Sequence, residues 1–148
     1  MMLPAPPPPC ILLVEDDQMD VMNVQRELRK HNVDVPLHIA GNGREALAML
    51  RGENNQPKID KPSIVMLDIN MPRMNGLELL EALRSDPEFV GLNVFIMTTS
   101  DLETDRLKAR QLAVSGYIVK PLNFDKFGEG GSTVDGFSLF LDLLQLKG

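Results

Sequence analysis

Four short apolar runs, each stopped by a polar residue at its C-terminal end, constrain this chain more than any other feature. Cys10-Ile11-Leu12-Leu13-Val14 ends at Glu15-Asp16-Asp17, and Ser63-Ile64-Val65-Met66-Leu67 ends at Asp68. Val94-Phe95-Ile96-Met97 ends at Thr98-Thr99-Ser100, and Gly116-Tyr117-Ile118-Val119 ends at Lys120-Pro121. A strand apolar at every position, rather than at every second one, needs cover on both faces, which is the situation of a parallel sheet.

Between these runs the apolar spacing is helical. Met19, Met22, Val24 and Leu28 predict an amphipathic helix over 19–31, and Val35 to Ala40 reads as a further strand, stopped by Gly41-Asn42-Gly43. Arg44 to Leu50 is a short helix followed by the polar loop 51–57, and Leu77, Leu80 and Leu83 mark a helix ended by Ser85-Asp86-Pro87. Glu103 to Ala113 is a polar helix anchored by Leu107 and Leu112. A final helix is expected from Asn123, clearest at Phe137, Phe140, Leu141 and Leu144. Gly128, Gly130, Gly131 and Gly136 weaken it, each costing about 1 kcal/mol relative to alanine in a helix interior. Strict alternation of strands and helices predicts an α/β fold with a parallel sheet and right-handed crossovers. In such sheets ligands bind beyond the C-terminal ends of the strands, where the polar residues lie.

The 148 residues suit one domain, and no apolar run approaches the roughly 20 residues of a membrane span. Residues 1–9 are Pro-rich without periodicity and read as a disordered tail, with neither the basic nor the apolar region of a secretory signal. Cys10 is the single cysteine and no Cys/His group has zinc-ligand spacing, so a cytoplasmic location is expected. The net charge of −6, with basic residues scattered along the chain, argues against nucleic-acid binding. His31 and His38 have no acidic or metal-like neighbours in sequence and are read as ordinary surface or core residues. Met66, Met71, Met74 and Met97 are read as packing residues.

The strand ends therefore gather Glu15, Asp16 and Asp68 with the Thr98 hydroxyl and the Lys120 ammonium. Crowded carboxylates stay ionised only with a counter-charge, and a divalent ion that prefers hard oxygen ligands supplies one. Mg²⁺ takes one or two carboxylates together with waters and phosphate oxygens. A carboxylate beside such an ion is also a nucleophile toward phosphorus. Asp17 is read as facing the helix start rather than as a third ligand, since acids there complement the helix dipole.

These residues and their spacing resemble the receiver domain of two-component response regulators. The matching segments are Ile11-Leu12-Leu13-Val14-Glu15-Asp16, Leu67-Asp68-Ile69-Asn70-Met71-Pro72 with Gly76, Thr98, and Tyr117-Ile118-Val119-Lys120-Pro121. Thr98 lies 30 residues after Asp68 and Lys120 lies 52 after it, as is usual in that family. The resemblance spans about 10–146 and implies a flavodoxin-like five-stranded parallel sheet, order 2-1-3-4-5, with helices on both faces. It makes residues 10–148 a receiver with an extended C-terminal segment and no output domain. By position, it implies that Asp68 accepts a phosphoryl group from a sensor histidine kinase. Asp16 then binds Mg²⁺ directly, Glu15 supports it through water, and Asn70 offers its backbone carbonyl. Lys120 pairs with Asp68 and then with the phosphoryl group, Thr98 bonds that group, Tyr117 reports the state by turning inward, and Pro121 follows a cis bond. Such a chain signals by protein contact and is not an enzyme beyond its own phosphotransfer and dephosphorylation.

The long polar stretch Arg51 to Lys61, the run Thr98-Thr99-Ser100 with Asp105, and the C-terminal segment are similar to stand-alone regulators paired with cyanobacterial and bacterial phytochromes. That implies a bacteriophytochrome-type kinase as partner. Thr99 stands where many receivers carry a smaller residue, which narrows access to Asp68. Arg73 and Asn75 follow the acceptor strand either as part of a turn with Gly76 or as kinase contacts. The stripe Phe137, Phe140, Leu141 and Leu144 either packs on its own core or forms a homodimer surface. Two other functions compete. A metal-dependent phosphohydrolase using Asp68 needs a second acid where Asn70 stands, and a cap over its substrate. An unphosphorylated interaction module has no need of the acids, Thr98 and Lys120 together.

Overall fold

The computed structural model describes residues 9–69, 76–98, 111–122, 134–135 and 142–143. In chain order these contain β1 (Ile11–Val14), α1 (Gln18–Lys30), β2 (Leu37–Ala40), α2 (Gly43–Arg51), β3 (Ile64–Asp68) and α3 (Gly76–Arg84). β4 (Val94–Thr98), β5 (Gly116–Val119) and β6 (Val134–Asp135) follow. Five parallel strands lie in the order β2-β1-β3-β4-β5, as the receiver resemblance implies, and β6 extends the sheet beyond β5.

The continuous apolar runs are explained by burial on both faces. Leu12, Val14, Val65, Leu67, Val94, Ile96 and Tyr117 pack on one face with Ala46, Met49 and Leu50 of α2 and Leu79, Leu80 and Leu83 of α3. Ile11, Leu13, Ile64, Met66, Phe95, Met97 and Ile118 pack on the other with Val21, Val24 and Leu28 of α1. Asp17 caps α1, its side chain accepting from the Met19 amide at 2.8 Å, and Asn42 caps α2 by accepting from the Glu45 amide at 2.9 Å. The role expected for Asp17 at the helix start is thus observed. Gly52 closes α2 in the left-handed conformation at φ 72°.

Two expectations need correction. The second strand begins at Leu37, not Val35: Pro36 has no N–H to give the ladder, although its carbonyl accepts from the Ile11 amide at 2.9 Å. A helix begun at Asn123 cannot run through Val134–Asp135, which add a short antiparallel strand to the five parallel ones. Those two residues pair antiparallel with β5, Ile118 opposite Val134 and Tyr117 opposite Asp135. The glycines at 128, 130 and 131 remove helix propensity before this point, and the free edge of β5 offers the backbone partners that a strand needs. Residues 1–8, most of the expected helix over Glu103–Ala113, and Phe137, Phe140, Leu141 and Leu144 lie outside the described residues. Leu143, beside that stripe, is helical and packs on the α1 face.

The approach to β5 is fastened by Arg84, whose guanidinium donates to the carbonyls of Leu112 at 2.7 Å, Val90 at 2.9 Å and Ala113 at 3.1 Å. Ala113 is exposed and sits at φ 56°, in the left-handed region where a Cβ crowds the backbone. Ala113→Gly relieves that crowding and keeps the carbonyl that Arg84 uses. Thermal melts should show it stabilised by about 1 kcal/mol, a rise of a few degrees.

Candidate functional site

Strand alternation decides which side chains meet. Glu15, Asp68 and Lys120 each follow, by two positions, a residue buried on the α1 face: Leu13, Met66 and Ile118. They converge there beside the first turn of α1. Lys120 Nζ lies 3.0 Å from Asp68 Oδ2, 2.9 Å from Asp20 Oδ2 and 2.6 Å from Glu15 Oε1. Asp16 faces solvent, and carboxylate oxygens of Glu15, Asp16 and Asp68 all lie within 4.8 Å of one another. Four of the residues singled out in the sequence are thus brought together at the C-terminal edge of the sheet.

Thr98 follows Ile96 by two positions and Tyr117 lies in the same core cluster as Ile96, so both belong to the other face. Thr98 is buried at the end of β4, and its carbonyl accepts from the Lys120 amide at 2.9 Å. Tyr117 is buried in the core with α2 and α3, directly across from Ile96. The Lys120–Pro121 peptide is cis. Asn70, Met71, Arg73, Met74, Asn75, Thr99, Ser100 and Asp105 lie outside the described residues. His31 sits on the α1 surface, 4.0 Å from Glu27 Oε1, and His38 is half-buried in β2; neither belongs to the metal-ligand group found among the described residues.

The residues present fit a divalent cation. Glu15 Oε2 accepts from the Asp17 amide at 3.2 Å, while Oε1 is wholly buried and has the Lys120 charge beside it but no hydrogen bond of proper geometry. A buried carboxylate oxygen without a directed donor, aimed among two more carboxylates, is a hard-oxygen ligand set. Burial, with Asp68 beside it, pushes the Glu15 carboxyl up to about 8, against the pull of Lys120. Burial by itself lowers the Lys120 ammonium, but Glu15, Asp20 and Asp68 outweigh it and hold Lys120 above the usual lysine range.

With this geometry in place, comparison with known proteins is decisive. The model of the family described as "Response regulator receiver domain" matches residues 11–129. The chain belongs to that family. It is 33% identical over 117 residues to the response regulator Rcp1 of Synechocystis, covering 79% of this chain and 80% of Rcp1. A two-component response regulator from Legionella pneumophila superposes with TM-score 0.77 at 35% identity, covering 93% of this chain and 98% of that one. The phosphorylated cyanobacterial phytochrome response regulator RcpA superposes with TM-score 0.76 at 27% identity, covering 96% and 98%. The Mn²⁺-bound form of Rcp1 superposes at 0.71 with 31% identity, covering 83% and 88%. The resemblance to phytochrome-associated regulators is thereby supported by the superposition on RcpA. Among the described residues of this receiver, no helix is long and apolar enough to cross a membrane.

Sequence reasoning missed Asp20. It stands in the first turn of α1, three residues after the cap Asp17 and four after Asp16. An acid there complements the helix dipole in any protein, so nothing in the sequence marks this one as a partner of Lys120.

Proposed function

We propose that Asp68 of this receiver accepts a phosphoryl group from a sensor histidine kinase, in a Mg²⁺-dependent reaction, and that the aspartyl phosphate switches a protein-interaction surface. The observation that carries the reading is the placement of Asp68, nearly buried at a strand end, against Lys120 at 3.0 Å and beside Glu15 and Asp16. Asp16, Asp68 and the Asn70 carbonyl would hold Mg²⁺, with Glu15 supporting it. The ion supplies charge neutralisation for the transferring phosphoryl oxygens.

One Asp68 oxygen forms the new P–O bond while the P–N bond of the donor phosphoimidazole breaks, and the imidazole leaves with a proton from solvent. Lys120 then passes from the carboxylate to a phosphoryl oxygen, and the Thr98 hydroxyl donates to another. Because Thr98 and Tyr117 share the face opposite Asp68, drawing Thr98 toward the phosphoryl group biases the packing of Tyr117, and with it the surface of the last two strands. Such a population shift needs only that the added charge favour one state. The kinase class we infer is bacteriophytochrome-like, from the sequence resemblance and from the likeness to a phytochrome response regulator. In the same reading the chain works in the cytoplasm, signals to a downstream protein by contact, and uses neither nucleic acid nor membrane. A homodimer through C-terminal elements is part of the same reading.

Incubation with Mg²⁺ and acetyl phosphate, followed by intact-mass measurement, should give one phosphoryl adduct on the wild type. Asp68→Asn should give none, because an amide oxygen is too weak a nucleophile. An equal adduct on Asp68→Asn, or none on a folded wild type even with a histidine kinase, would overturn the assignment.

A further inference from the structure

We propose that Asp20 is a positioning residue for phosphotransfer: together with Asn23 it ties the 120–122 turn to α1 and so fixes where the Lys120 ammonium stands. The inference rests on the reading of Asp68 as the acceptor. A lysine ammonium is a compact charge on a flexible four-carbon stem, with three donors to satisfy. Here three carboxylates, those of Glu15, Asp20 and Asp68, lie 2.6, 2.9 and 3.0 Å from it. In the proposed reaction two of these are engaged elsewhere, since Glu15 supports the metal and Asp68 becomes an acyl phosphate. Asp20 alone keeps its carboxylate free for Lys120 before, during and after transfer.

A second tie makes this a clamp rather than a single contact. Asn23, three residues on and therefore on the same side of the helix, donates from Nδ2 to the Leu122 carbonyl at 3.2 Å. One side chain thus holds the Lys120 head group, and the other holds the backbone just beyond it. α1 itself is fixed by the Asp17 cap and by Val21, Val24 and Leu28 in the core. The position of Lys120 is therefore referred to a rigid element and not to the loop that carries it.

Asp20 also brings negative charge near an incoming anion, and the two effects have opposite signs. Asp20→Asn separates them, since it keeps an oxygen acceptor for Lys120 and loses the charge. Positioning predicts that Asn largely rescues what Ala loses, whereas dominant repulsion predicts that Asn labels faster than the wild type. Labelling by acetyl phosphate with Mg²⁺ should slow about tenfold in Asp20→Ala and about threefold in Asp20→Asn and Asn23→Ala, as expected when a reacting group is loosened by a fraction of an ångström. Proton–nitrogen NMR of the Lys120 ammonium, without donor or metal, should show faster exchange with water in Asp20→Ala than in the wild type. Wild-type labelling of Asp20→Ala, or faster labelling of Asp20→Asn, overturns the proposal. If the wild type takes no label, even from a histidine kinase, the reading of Asp68 fails, and an ammonium signal unchanged in Asp20→Ala then overturns the clamp separately.

Discussion

Gly76→Ala should lose about 2–3 kcal/mol of stability, roughly 10 °C in melting temperature, and be labelled on Asp68 about a hundredfold more slowly than the wild type. Gly76 opens α3 where the chain returns from the acceptor strand. A Cβ built on it meets the carbonyl oxygen of Asp68 and comes within 2.6 Å of Ile69 Cα and 2.9 Å of the Asp68 carbonyl carbon. All three are backbone atoms, so no side chain can swing aside. Relief takes a shift of about an ångström by α3 or by the end of β3, and a shift of that size at the reacting carboxylate costs about two orders of magnitude in rate. Helix propensity works the other way, since alanine is the better helix former by about 1 kcal/mol, but overpacking against backbone exceeds it. Gly91→Ala is the matched control: a Cβ there meets nothing within 4 Å, the residue is exposed, and its melting temperature should stay near that of the wild type. Equal melting temperatures and equal labelling rates for Gly76→Ala and Gly91→Ala would show that the backbone yields more easily than these distances imply.

Gly76 also illustrates where sequence stops short. The matching segments include it, but a glycine after a strand reads equally as a positive φ and as a close approach; the distances to Asp68 and Ile69 identify the second. What the sequence carried well were features repeated along the chain. Four unbroken apolar runs could be satisfied only by two covered faces, and the two core clusters are those faces. The polar stops at Glu15, Asp68, Thr98 and Lys120 then had to share one edge, because parallel strands end together. Strand parity was equally readable in principle, and it separates Asp68 and Lys120 from Thr98 and Tyr117. What failed were features decided by a partner elsewhere. Val35 has the character of a strand residue, yet Pro36 delays the ladder. β6 has only two residues, too short for any period, and exists because β5 would otherwise present a free edge. Asp20 looks like any first-turn acid until the fold brings residue 120 to it.

Metal-free protein, kept so with a chelator, should lose stability as pH rises from about 4.5 to about 8, and added Mg²⁺ should stabilise it more at pH 8 than at pH 5. The cause is Glu15. Its carboxyl is pushed up to about 8 in the folded protein by burial and by Asp68, whereas in the unfolded chain it titrates near its ordinary value of 4.5. Between those two values the folded state binds a proton that the unfolded state has released, so stability falls with rising pH, by at most about 1.4 kcal/mol per unit. Lys120 adds no slope in this window, because its folded value lies above the ordinary lysine range and it stays protonated in both states. Above pH 8 the buried carboxylate is charged in both states and the contribution levels off. A divalent cation binds the charged form, so its stabilisation grows as the proton is displaced. Glu15→Gln should flatten the profile and weaken its response to the ion. Urea midpoints measured across this range, with and without Mg²⁺, decide the matter: stability that rises with pH in the presence of chelator would mean that Lys120 keeps Glu15 ionised throughout, and that the acidic cluster is balanced before any metal arrives.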